Sequence, residues 1–291
     1  MTNEYLEKGM KGVFFFCAAV SVIALGAICY FIFSRSWPFL QEYGLGSFLF
    51  GTKWAATNGV FGLAPMLVGS FYVTLLALLL GAPTGIFTAV FLVFYCPKRL
   101  YTFLKPAINL MAGIPSIIYG YFGLVVLVPL IRDFGRQTLR IPTSGMSVLT
   151  ASLVLGMMIL PTIVTMSESA LRAVPKPYYE GAVALGATHD EAAYRIVLPA
   201  AHSGVFSSII LGLGRAVGET MAVIMVAGNA AIFPKNLLSG TRTLTSNIML
   251  EMAYAAGKHR DALIATGATL FVIILVLNAV LVFVKGRGER V

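Results

Sequence analysis

Glu180-Gly181-Ala182, then Gly186, then Ile196-Val197-Leu198-Pro199 stand in a polar island, Glu168 to Ser203, between two apolar blocks. The spacing is E-x-A, three residues, G, nine residues, I-x-L-P. Just past the island, inside the next apolar block, sit Arg215 and Glu219, two charges that hydrocarbon should reject. A surface loop followed by buried charge points to a membrane protein driven by something outside the membrane.

Local chemistry gives the island a shape. Pro177 suits the first turn of a helix, Tyr178 to Leu185 continue it, and Gly186 stands where a left-handed cap would end it. Thr188 followed by Glu191 is a capping box, so a second short helix is predicted from His189 to about Val197. Pro199 marks the start of the next span. The resulting knob is expected to expose Glu180, His189, Asp190, Glu191 and Arg195. It is expected to bury Leu185, Ala192, Ile196 and Val197. Taken alone, such a pair of helices could merely stiffen a loop.

Composition sets the class. Of 291 residues, 58% are apolar and 11% charged, with mean hydropathy +0.86; soluble domains carry about a quarter charged residues. Stretches free of Asp, Glu, Lys and Arg run over 12–34, 54–97, 106–131, 141–167, 196–214 and 262–284. Each approaches or exceeds the roughly 20 residues that a spanning helix needs. The second narrows to about 66–95, because Asn58, Gly59, Gly62 and Pro65 break its start. The fifth must extend past Arg215 and Glu219 to about 228. The expectation is an all-α integral membrane protein with six transmembrane helices, since lipid cannot satisfy a free backbone. The first run is too long for a signal segment and lacks an A-x-A site, so it reads as an uncleaved anchor.

Several functions are excluded on the same grounds. The net charge of +9 lies in short flanks of apolar runs, which suits membrane lipid and not nucleic acid. Lys98-Arg99 and Lys285-x-Arg287, hard against span ends, favour both termini on the cytoplasmic side. Cys17, Cys29 and Cys96 have no metal spacing and read as packing residues. His189, His202 and His259 stand apart from cysteine and carboxylate clusters, so no metal or cofactor is expected. Neither a P-loop nor a strand-plus-GxGxxG unit is present; Gly212-Leu213-Gly214 with Gly218 follows no strand. The chain has no recognisable nucleotide or catalytic site of its own.

Other features are placed more loosely. Gly81-Ala82-Pro83-Thr84-Gly85 is a kink and close-packing site. Pro115 frees the carbonyl near Met111, and Ser116 or Tyr119 either faces a wet path or belongs to a kinked packing helix. The segment Pro234 to Asp261 is expected to form a short surface helix that a soluble donor protein could touch. Arg215 and Glu219, four apart, share a helix face. They read as an intrahelical salt bridge, as a substrate-path site with Thr220 nearby, or as a contact across a subunit seam beside Gly214 and Gly218. In the path reading Arg215 offers an oxyanion a planar donor fork.

Glu180 to Pro199 resembles the EAA signature of importer-type ABC permeases at every anchor except Gly181, which stands where an alanine is usual. Leu160-Pro161-Thr162, Glu168-x-x-Leu171-Arg172-x-Val174-Pro175, Gly113 to Gly120 and Leu211 to Val223 look like the phosphate branch, and more like its PstC-type than its PstA-type subunit. The resemblance covers about residues 65–285. It implies a type I importer bundle in which residues 1–64 form an anchor helix and extracytoplasmic segment, 65–285 the transmembrane domain with coupling loop 168–203, and 286–291 a cytoplasmic tail. It implies a permease in the inner (plasma) membrane whose partners are a PstA-type permease, two PstB-type ATPase subunits, a PstS-type phosphate-binding protein, and phosphate itself. Glu180, Gly181, Ala182, Gly186, Asp190 and Glu191 would couple to the ATPase; Arg215, Glu219 and Thr220 would line the substrate path. The alternatives are the PstA-type position, a molybdate or sulfate permease, a proton-driven secondary transporter using Glu219, or a scaffold without flux.

Overall fold

Helices dominate because each closes its backbone hydrogen bonds within its own segment. The computed structural model describes residues 2–288. Its helices are α1 (Thr2–Tyr43), α2 (Leu45–Phe50), α3 (Ala64–Val90), α4 (Lys98–Gly113), α5 (Ser116–Phe122), α6 (Val128–Gln137) and α7 (Val148–Ala173), followed by α8 (Lys176–Ala184), α9 (His189–Glu191), α10 (Leu198–Ala200), α11 (His202–Gly218), α12 (Met221–Val226), α13 (Leu244–Glu251) and α14 (Lys258–Gly288). Wider π turns continue α3 to Tyr95, join α5 to α6, and join α9 to α10. A small antiparallel hairpin pairs β1 (Trp54–Ala55) with β2 (Val60–Phe61). Of the tail expected at 286–291, residues 289–291 lie outside the described residues, and 286–288 still belong to α14.

Five stretches are long and apolar enough to cross a bilayer: Met10–Tyr43, Ala64–Tyr95, Ser116–Gln137, Val148–Ala173 and Lys258–Phe283. The sixth is a bent pair, His189–Ala200 and His202–Gly218, meeting at 69°. Two spans therefore differ from expectation. The third does not begin at 106: Pro115 ends α4, and the crossing helix starts at Ser116. Tyr119 donates its hydroxyl to the freed Met111 carbonyl at 2.9 Å, so this tyrosine serves the kink. The fifth is not one helix to 228, because Glu219 and Thr220 leave helical geometry between α11 and α12.

Helix α7 is the centre of the bundle, and its Ala151, Leu155, Met158, Ile159 and Ile163 are fully buried. Small residues let neighbours approach it closely. A Cβ on Gly85 of α3 would sit 2.7 Å from Ile163 Cγ2, and one on Gly81 would sit 2.8 Å from Ile159 Cδ1. From the other side, a Cβ on Gly212 of α11 would lie 3.0 Å from Ile163. Ile159 and Ile163 are thus held between glycines of two helices. A second core gathers Phe39, Phe48, Phe61, Leu63 and Met66 around Leu244, Ala262 and Ala265. A third, at the opposite end, joins Ala89, Val90, Leu171, Val197, Ala201 and Val205. The cysteines are not core residues: Cys17 is exposed, and Cys29 and Cys96 are half-buried.

The glycine packing is testable. Gly85→Ala gains about 0.5–1 kcal/mol of helix propensity but overpacks Ile163 at about 1–3 kcal/mol. At Gly214 a Cβ would meet nothing within 4 Å, so alanine there collects only the gain. Thermal unfolding in detergent should therefore show Gly85→Ala destabilised and Gly214→Ala unchanged or slightly stabilised.

Candidate docking knob and transport path

The knob is built as its residues dictate. Pro177 opens α8, and Gly186 ends it at φ +94°. The Gly186 amide donates to Val183 and the Ala187 amide to Ala182, which closes the helix end in a Schellman pattern. Thr188 and Glu191 form the expected reciprocal capping box. Glu180, Gly181, Gly186, His189 and Asp190 are exposed, while Ala182 and Glu191 are half-buried. Ala192 and Val197 are buried as expected. Leu185 and Ile196 are not. Leu185 is 91% exposed at the tip of the knob, because the cap at Gly186 turns the chain before this side chain can fold under. The π turn at Ala192–Val197 rotates Ile196 outward, leaving Val197 as the inward residue.

The knob is also tied inward. Tyr95 donates its hydroxyl to Asp190 Oδ1 at 2.6 Å. Tyr179 stacks on Phe94 at 5.5 Å and hydrogen-bonds His189 Nδ1 at 2.7 Å. His189 is therefore exposed but engaged.

Arg215 and Glu219 do not form an ion pair. Glu219 lies past the end of α11 with extended backbone (φ −70°, ψ 133°), so the four-residue helical spacing no longer applies. Its carboxylate accepts the Ala222 amide at 3.1 Å, capping α12. Its carbonyl accepts the Thr245 hydroxyl at 3.0 Å. Thr220 turns its hydroxyl back to Gly218. Arg215 instead reaches across to α7, where its Nη1 lies 3.4 Å from Thr162 Oγ1. The long geometry leaves most of the guanidinium's donors uncommitted. Thr162 belongs to one of the phosphate-branch motifs, yet only the fold reveals it as the partner across the gap.

Two buried ion clusters escaped the sequence. Glu168, nearly buried, accepts from Tyr101 (2.8 Å), Lys105 (2.9 Å) and Arg172 (2.9 Å), fastening α4 to the end of α7. Glu251, at the opposite end, accepts from Arg242 (2.6 Å), Trp54 (2.8 Å) and His259 (2.8 Å). Arg242 further donates to Asn247 Oδ1 and the Asn229 carbonyl. His259 is thus no isolated loop residue. Nor is α13 a surface helix: Leu244, Thr245, Ser246, Asn247 and Glu251 are buried. Burial pushes the Glu251 carboxyl up, but the hydrogen bonds from Trp54, His259 and Arg242 outweigh it and hold the group below the usual carboxylate range. Trp54 and Glu251 lie 197 residues apart, a pairing that no periodicity can signal.

Comparison with known proteins fits this geometry. Residues 81–287 match the family of binding-protein-dependent transport system inner membrane components. The probable ABC transporter permease protein YqgH of Bacillus subtilis is 34% identical over 279 residues, covering 94% of this chain and 89% of that one. The phosphate transport system permease protein PstC of Xylella fastidiosa is 37% identical over 267 residues, covering 86% and 82%. Among solved structures, a bacterial ABC transporter involved in import of the acidic polysaccharide alginate aligns with a TM-score of 0.56 at 16% identity, over 94% and 96% of the two chains. That likeness concerns the fold alone.

Glu251 should matter to stability in a defined way. Replacing it with Ala strands Arg242 in a buried site, at about 3–5 kcal/mol. Because its folded pKa is lowered, its contribution is present above the ordinary value of 4.5 and is lost as pH falls through the lower folded value. Thermal unfolding across pH 3–7 should show this acid limb in the native chain and a reduced one in Glu251→Gln.

Proposed function

Because the chain belongs to the family of binding-protein-dependent transport system inner membrane components, we propose that it is the PstC-type permease subunit of an ATP-driven phosphate importer. The observation that carries this is the break at Glu219–Thr220 with Arg215 one turn before it, facing Thr162. Non-helical backbone at membrane depth is tolerated only where protein buries it or a wet cavity lines it. Discontinuous helices of this kind mark substrate sites in transporters. The names of the PstC relatives supply the anion.

In this reading the chain carries no covalent chemistry. Both termini face the cytoplasm. The knob at 180–198 docks on a PstB-type ATPase through Glu180, Gly181, Ala182, Gly186 and Glu191, with Leu185 as its apolar tip, while Asp190 faces Tyr95. A PstA-type permease completes the path, and a PstS-type binding protein delivers phosphate at the opposite face. ATP-driven closure of the ATPase pair moves the knob and shifts the bundle between two packings, each of which opens the path to one side. Arg215 holds the passing oxyanion with its free donors, Thr162 adds a hydroxyl, and Thr220 lines the break. Glu219 stays bound to the Ala222 amide, which keeps its negative charge out of the anion's way.

Arg215→Gln removes a charge-assisted contact worth about 1.5–3 kcal/mol. Phosphate uptake by the assembled complex should fall on the order of 10- to 100-fold, with assembly and ATP hydrolysis capacity retained. Normal uptake by the variant would make Arg215 structural. Uptake driven by this polypeptide alone, without an ATPase, would overturn the proposal as a whole; competition by molybdate or sulfate as strong as by phosphate would overturn the choice of anion.

A further inference from the structure

The knob is fastened to α3 as well as to the helices that flank it in sequence. The π turn Phe91–Tyr95 ends α3 at the knob, and it engages both short helices at once. Phe94 stacks on Tyr179 of α8, and the Tyr95 hydroxyl binds Asp190 of α9. Tyr179 then closes the circuit by binding His189.

Chain continuity alone is a poor route for force here. Val174-Pro175 separates α7 from α8 with extended backbone, and Gly186 separates α8 from α9 in a left-handed turn. A further 69° bend precedes α11. Displacement of the knob can be absorbed at each joint. The route through α3 crosses no loop or left-handed residue: the helix is continuous from Tyr95 through the π turn to Gly81, with Pro83 inside it. That route leads into the contact of Gly85 and Gly81 with Ile163 and Ile159, which flank Thr162, the residue facing Arg215.

We propose that the Tyr95–Asp190 hydrogen bond is the linkage that carries movement of the knob into α3, and that Asp190 acts on Tyr95 rather than on the ATPase. The proposal rests on the reading of the knob as an ATPase-docking element. Both residues are exposed in the isolated chain, where water competes for the bond. A docked partner covers the knob, excludes that water and strengthens a bond to an ionised acceptor. Tyr95 and Asp190 are thus positioning residues, coupled to each other and remote from the substrate path.

The test is a double-mutant cycle in the complete complex, reconstituted in liposomes with its binding protein. Tyr95→Phe keeps the ring and loses only the hydroxyl; Asp190→Asn weakens the acceptor. Each single variant should lower phosphate moved per ATP hydrolysed by about tenfold. The double variant should be no worse than either, and ATPase subunits should remain bound in normal ratio. Additive losses, a normal ratio in Tyr95→Phe, or release of ATPase subunits by Asp190→Asn would each overturn the linkage. A native complex that hydrolyses ATP in response to its binding protein yet moves no phosphate would sink the phosphate reading instead. The same cycle, read from binding-protein-stimulated hydrolysis, would still decide the linkage.

Discussion

A bilayer core offers no partner to an unwound peptide, and in this chain two residues, Glu219 and Thr220, leave helical geometry where α11, the end of the bent candidate span, gives way to α12. Their polar groups are met by protein: the Ala222 amide on one side and the Thr245 hydroxyl on the other. Thr245 belongs to α13, and α13 is held by the carboxylate of Glu251 with Arg242, His259 and the indole of Trp54. The placement of Arg215 beside Thr162 therefore depends on a hairpin near the start of the chain and on a helix that follows the break. An ion cluster that touches neither Arg215 nor Thr162 thus bears on where they sit.

The molecule divides into stiff and yielding parts. Around α7 the packing is glycine against isoleucine, and interfaces of that closeness shift as units rather than deform. At the knob, by contrast, one proline-led joint, one left-handed glycine and one sharp bend separate short helices. Such an arrangement lets the knob reorient while the central layer keeps its side-chain register. Leu185, fully presented at the knob's tip, leaves an apolar side chain open to a partner there.

Much of this was legible in the sequence, because the signals were local. The charge-free runs located the second and last spans to within about four residues and the others more coarsely, and Thr188 with Glu191 located the second helix of the knob. What failed was tertiary. Leu185 looked like a buried helix residue, but the cap one position later leaves nothing above it to pack against. Arg215 and Glu219 looked paired because helical spacing was carried through a point where the helix ends. The Thr-rich segment before Glu251 looked like a solvated surface, since nothing nearby announces that Trp54 and His259 will arrive to satisfy a carboxylate. Thr162 became a candidate only when α7 and α11 were seen to cross.

Helix α1 carries one more implication. Its 42 residues extend about 63 Å at roughly 1.5 Å per residue, about twice the ~30 Å of hydrocarbon. None of its most apolar window is buried, whereas Phe39 and Tyr43, near its end, are knotted into the aromatic core with Phe48 and Phe61. It behaves as a mast stepped at its foot and stayed against α14, where Phe33 meets Phe271. Thicker or thinner membranes can be accommodated by leaning that mast, while α3, α7 and α11 pack on one another in a separate core.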